Sequence, residues 1–215
     1  MEPIGSAPDD AASVRRDVDR LVAFSDGVFA IAITLLVLNI QIPDVSDKDL
    51  GDAVTDLVPE LFTYALSFIV VGLYWISHHQ MFRSLQRVDR LLLWLNLAML
   101  GFVALLPFPT ELLGAYGDTT LATVIYAAAI VAVGSTSALL WWYLNHAGLA
   151  APASADTVRM GLLRITIAPA MFALSIPVAF LAPDEAKIAW LLIWPANVAL
   201  DRWHAKTVSA AERPG

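Results

Sequence analysis

Arg20-Leu-Val-Ala-Phe24-Ser25-Asp26-Gly27-Val28-Phe29-Ala30-Ile31-Ala32-Ile33-Thr34-Leu35-Leu36-Val37-Leu38 is long and apolar enough to cross a bilayer, yet it opens with an Arg, a Ser and an Asp. At 1.5 Å per residue, Asp26 lies about 8 Å inside such a helix, where a polar group needs a partner or water. Arg20 is six residues away, roughly 240° round the helix, so the two do not form an i,i+4 pair. The partner of Asp26 is therefore expected on another helix or through water. Further along, Ile31, Thr34 or Leu35, Leu38 and Ile42 recur at three- and four-residue spacing and share one face. Such a stripe packs against a neighbour or lines a path, and spacing alone does not choose. Thr34 has a further option, bonding its own helix carbonyl at residue 30.

The rest of the chain repeats this apolar character. Hydrophobic residues make up 58% of the 215 and charged residues 15%, against about 45–50% and 25% in soluble domains. Six runs satisfy the length for a crossing: Leu21–Ile42, Glu60–His78, Leu91–Leu113, Thr120–Leu144, Met160–Ala182 and Lys187–Trp203. Pro169 and Pro177 in the fifth, and Pro195 in the short sixth, predict kinks. The first run is read as a true span and not a cleaved leader. Asp9, Asp10, Asp17 and Asp19 precede it, its apolar part is too long, and no small-x-small site follows Asn39.

Loop charges orient the six spans. Arg15, Arg16, Arg20, Arg83, Arg87, Arg90, Arg159, Arg164, Arg202, Lys206 and Arg213 fall on one side, and only Lys48 and Lys187 on the other. The positive-inside rule then puts both termini in the cytoplasm. Asp44, Asp47, Asp49, Asp52, Asp56, Glu60, Glu111, Asp118, Asp184 and Glu185 gather on the outer side, where they either concentrate cations or simply solvate the loops. The domain reading is a cytoplasmic tail at 1–19, a six-helix membrane domain at 20–204 and a cytoplasmic tail at 205–215. Met1–Ala12 and Val208–Gly215 are expected to be disordered.

Several classes are excluded. A net charge of −7 opposes nucleic-acid binding. The absence of cysteine removes disulfides, thiolate metal sites and Cys nucleophiles. No GxSxG, HExxH, P-loop or GxGxxG opening a helix is present, so no enzyme chemistry is indicated, and the TVGYG filter is missing too. Polar groups at the depth of Asp26 come from the end of span two, Trp75-Ile-Ser77-His78-His79-Gln80, and the start of span three, with Arg90 and Asn96. A hydrogen-bonded network there is the economical arrangement. Adjacent His78 and His79 diverge by about 100° and make a poor metal pair. An interhelical hydrogen bond suits His78, and His79 is expected toward the headgroups.

The sequence Arg20-xxx-Phe24-Ser25-Asp26-Gly27 and the apolar run after it resembles the signature helix of the lysosomal potassium channel family, transmembrane protein 175, in its prokaryotic single-repeat form. Trp75, His78 and Asn96 extend the resemblance over nearly the whole chain. It implies an all-α membrane protein of six helices, whose first helix lines the pore of a homotetramer in the bacterial inner membrane. It implies passive conduction of potassium, with membrane lipid and permeant ions as partners and neither a cofactor nor a bound metal. By position, Ile31 would be the hydrophobic constriction, Thr34 a polar ring tied to potassium preference, and Leu38 the next apolar ring, with Leu35 beside them. Arg20, Phe24, Ser25, Asp26, Trp75, His78 and Asn96 would form the supporting network. Asn39 and Gln41 have no assigned role. The alternative is a proton-coupled secondary transporter with Asp26 and His78 as a relay.

Overall fold

A computed structural model describes residues 7–40 and 44–190. The described residues form helices and loops: α1 Ala7–Leu36, α2 Leu50–Asp56, α3 Val58–Arg83, α4 Arg90–Leu105, α5 Pro107–Ala115, α6 Thr120–His146, α7 Ala155–Ala179 and α8 Pro183–Trp190. Four stretches are long and apolar enough to cross a membrane: Val58–Arg83, Arg90–Ala115, Thr120–His146 and Ala155–Ala179. The first helix differs because its α-helical part stops at Leu36 and a 3-10 turn, Val37–Asn39, follows. Its apolar portion consequently still holds Asp19, Arg20 and Asp26. Gln41, the sixth run after Trp190, the C-terminal tail, and with them Arg202, Lys206 and Arg213, lie outside the described residues.

Three boundaries depart from the sequence expectation. Helix α1 starts at Ala7, within the stretch expected to be disordered, and runs without a break through the tail boundary at residue 19. Val18 and Val22 then pack onto the core. The third span is broken at Leu106, whose N–H reaches back only to the Val103 carbonyl at 3.1 Å. Pro107 follows, and its ring and missing N–H prevent the i→i−4 ladder from continuing. The loop after α1, expected to be irregular, contains α2, a short helix with no buried residue.

The core forms where α1, α3, α4 and α6 meet. Phe29, Leu36, Leu92, Met99 and Ile130 are buried in it. Helix α7 is a single element through Pro169 and Pro177, and it crosses α6 at Gly134. A Cβ built on Gly134 would lie 2.5 Å from the Pro169 ring and 2.7 Å from the Tyr74 hydroxyl, so only glycine admits the crossing. Gly134→Ala is expected to cost about 1–3 kcal/mol by overpacking. The readout is a lower melting temperature in detergent; an unchanged value would mean the crossing is slack. Trp190, at the end of α8, ties α8 to α7 by donating to Ser175 Oγ at 2.8 Å and packing on Phe172.

At the basic end, two loops are stitched together. Leu85 and Ala150 form an antiparallel bridge, with Gln86 N–H donating to Leu149 O at 2.8 Å and Ala151 N–H to Ser84 O at 2.7 Å. Helix α6 reaches this bridge through Gly148, whose φ of +63° is the left-handed geometry that closes a helix and favours glycine. Asp89 caps α4 through Leu92 N–H at 2.8 Å, and its second oxygen accepts from Tyr143 of α6 at 2.5 Å.

Candidate functional site

Helix α1 presents two distinct faces. Leu21, Ser25, Phe29, Ala32 and Leu36 are buried against the rest of the chain. Phe24, Ile31, Thr34, Leu35 and Leu38 are exposed, Ile31 at 61% and Leu38 at 70%. The stripe predicted from spacing is therefore, from Ile31 to Leu38, a face about 10 Å long that the other described residues leave uncovered; Ile42, its last member, lies outside the described residues. Thr34 donates its hydroxyl proton to the Ile31 carbonyl at 2.9 Å, so it does bond its own helix, through an i−3 bond and not the i−4 option at residue 30. Its donor is thus consumed by the helix, and its oxygen lone pairs remain as acceptors on the outward face.

The polar residues form two clusters. In the buried one, Ser25 Oγ lies 2.9 Å from Leu21 O, Asn96 Nδ2 3.0 Å from Ser25 Oγ, and His78 Nε2 2.8 Å from Asn96 Oδ1. Proton counting fixes the direction of this chain. Ser25 has one proton and gives it to the Leu21 carbonyl, so Asn96 must present its NH2 group to Ser25. The Asn96 oxygen then faces His78, and Nε2 must carry the imidazole proton. Phe82 stacks on the His78 ring at 4.0 Å and Phe29 lies at 5.5 Å, so apolar rings surround the bond.

The second cluster is Asp26 with Trp75, whose Nε1–H donates to Oδ1 at 2.8 Å. This pair sits at the edge of a cleft of about 970 Å3, lined also by Arg15, Asp19, His79 and Arg83. Asp26 is about 140° round the helix from Ile31, so its carboxylate does not share the outward stripe. Among the described residues, no hydrogen bond joins Asp26 to His78. Arg20 and Phe24 are exposed, and among the described residues neither takes part in the hydrogen bonds of the two clusters. His79 lines the cleft, and among the described residues its buried Nδ1 has no hydrogen-bond partner. Among the described residues, no group of three or more His, Cys, Asp or Glu is placed to hold a metal.

Sequence reading missed a hydroxyl cluster deeper in the bundle. Thr110 Oγ1 lies 2.9 Å from Ser67 Oγ, which lies 3.0 Å from Tyr126 Oη. The available signal was the cost of each hydroxyl within an apolar span; which ones meet depends on helix rotation. Asp89 with Tyr143 was missed for the same reason.

These features define a multi-pass helical membrane protein whose first helix is anchored by buried polar groups on one side and left uncovered on another. A family model described as endosomal/lysosomal potassium channel TMEM175 matches residues 20–107, which include α1 from Arg20 on, both clusters and α4. A potassium channel of Streptomyces collinus is 42% identical over 134 residues, 60% of this chain and 65% of that one. A potassium channel of Chamaesiphon minutus is 35% identical over 145 residues, 65% of this chain and 70% of that one. The crystal structure of a lysosomal potassium-selective channel TMEM175 homolog from Chamaesiphon minutus superposes with a TM-score of 0.75 at 26% identity, covering 86% of this chain and 98% of that one. The chain belongs to the TMEM175 family.

Proposed function

We propose that this chain is the subunit of a potassium-permeable cation channel, conducting passively, catalysing no reaction and using no cofactor. Four copies surround an axis lined by α1; each subunit crosses the cell membrane six times, with both termini in the cytoplasm. The observation that carries this reading is the division of α1 into an anchored face and an uncovered one. Ser25 and Asp26 hold the helix to α4 and α3, while Ile31, Thr34 and Leu38 face away from the chain's own core. Around a symmetry axis, Ile31 and Leu38 become apolar rings that close by dewetting. Between them, Thr34 oxygens offer acceptors that replace part of an ion's hydration shell. This favours potassium over the more strongly hydrated sodium. The relatives' names and the membership of the family support the choice of ion.

Potassium flux into liposomes holding the purified, folded protein is the direct test, and flux no greater than in empty vesicles would sink the proposal. Thr34→Val keeps the side-chain shape and removes the acceptors. It is expected to lower the potassium-over-sodium preference about fivefold, the scale of one hydrogen bond. Reversal potentials under bi-ionic conditions measure it; an unaltered preference would remove Thr34 from the ion path.

A further inference from the structure

The uncovered face of α1 does not stop at Ile31. At 100° per residue, with Ile31 as the reference, Phe24 and Arg20 fall about 20° to either side of it, roughly two and three turns toward the basic end. Asp17 lies about 40° round on the side of Phe24, and Arg16 about 60° round on the side of Arg20. All four side chains are exposed. The two edges of the stripe therefore differ in sign: Arg16 and Arg20 mark one, Asp17 the other. They are also level, since Asp17 stands about 1.5 Å along the helix from Arg16 and about 4.5 Å from Arg20. Among the described residues, no ion pair joins any of the three to another side chain, although Asp17 and Arg20 are one turn apart.

A ring of identical subunits related by rotation brings unlike edges together, the right edge of each first helix meeting the left edge of the next. On parallel helices the opposite charges then meet at one height, as flanking charges do in parallel coiled coils. We infer that Asp17 of one copy sits between Arg16 and Arg20 of the next, so that the charged half of α1 is a contact between subunits. The inference rests on the four-copy arrangement proposed above. Charge complementarity selects a second copy as the occupant, because the surface supplies both signs to itself in register.

The pairing also answers an electrostatic problem. Arg20 shares the sector of Ile31, so four copies bring four guanidiniums to the mouth of a cation path, where they would repel the permeant ion. A carboxylate beside each one draws it off the axis and offsets that field.

The chain contains no cysteine, so full-length subunits can be cross-linked at chosen positions. Asp17→Cys with one affinity tag and Arg16→Cys with another are co-expressed, and the membranes are treated with a short bismaleimide. Adducts carrying both tags are expected in about fivefold excess over those from Asp17→Cys with Arg159→Cys, an exposed position of α7. Native mass spectrometry of the wild type in mild detergent supplies the subunit count. A tetramer without that excess overturns this contact and leaves the proposed channel standing, whereas a wild type that is never tetrameric overturns both. Charge exchange separates pairing from proximity. Asp17→Arg is expected to lower the tetramer fraction about tenfold at low ionic strength, and the triple exchange Arg16→Asp, Asp17→Arg, Arg20→Asp to restore most of it. An unaltered fraction in Asp17→Arg, or a triple variant no better than Asp17→Arg, overturns the pairing.

Discussion

Ile31→Asn raises basal potassium flux by about tenfold or more in reconstituted protein, the change expected when a barrier of roughly 1.4 kcal/mol is removed. Ile31 is 61% exposed on its own subunit, so the substitution disturbs no packing within the chain. Around the axis, four amides would keep water in a constriction that four sec-butyl groups expel. The essential control is Leu174→Asn, on an exposed position of α7. It introduces the same amide away from the proposed path, and its flux should match the wild type. A similar increase from both variants would mark a nonspecific leak and remove Ile31 from the gate.

Asn96→Leu is expected to cost about 2–4 kcal/mol, because it strands a His78 donor and a Ser25 acceptor in an apolar interior. The loss would be read as a smaller monodisperse fraction and a lower melting temperature in detergent. The direction of the proton chain makes a second forecast. Adding His78→Phe to Asn96→Leu removes the stranded donor and supplies a ring between Phe29 and Phe82, so part of the stability returns. A double variant no more stable than the sum of the two single losses would contradict the assigned bonding.

The sequence carried the outline of α1 and its neighbours because charge and hydropathy vary along one dimension. Trp75, His78 and Asn96 were legible as partners, since alternating spans place them at the depth of Ser25 and Asp26. Their division into separate clusters was not, because it depends on how α3 is rotated: Trp75 and His78 are three residues apart yet bond to different helices. The break at Leu106 was hidden for another reason. Pro107 and Pro109 lie in a run that hydropathy reads as continuous, and only the backbone bonding shows where the ladder fails. The start of α1 at Ala7 was obscured by a composition of Ala, Asp and Arg, which suits a solvated helix as well as a disordered tail. Arg20 matched the family motif; it is exposed, and among the described residues it makes no hydrogen bond to either cluster.

The anchors of α1 also set an order of events in biogenesis. Trp75 follows Asp26 by 49 residues, and Asn96 follows Ser25 by 71. At 5–20 residues per second, the ribosome takes roughly 4–14 s to deliver Asn96 after Ser25. During that interval α1 has left the ribosome with its buried-to-be polar groups unmatched. Helix α1 is thus made before the groups that anchor it and settles only once α4 has followed.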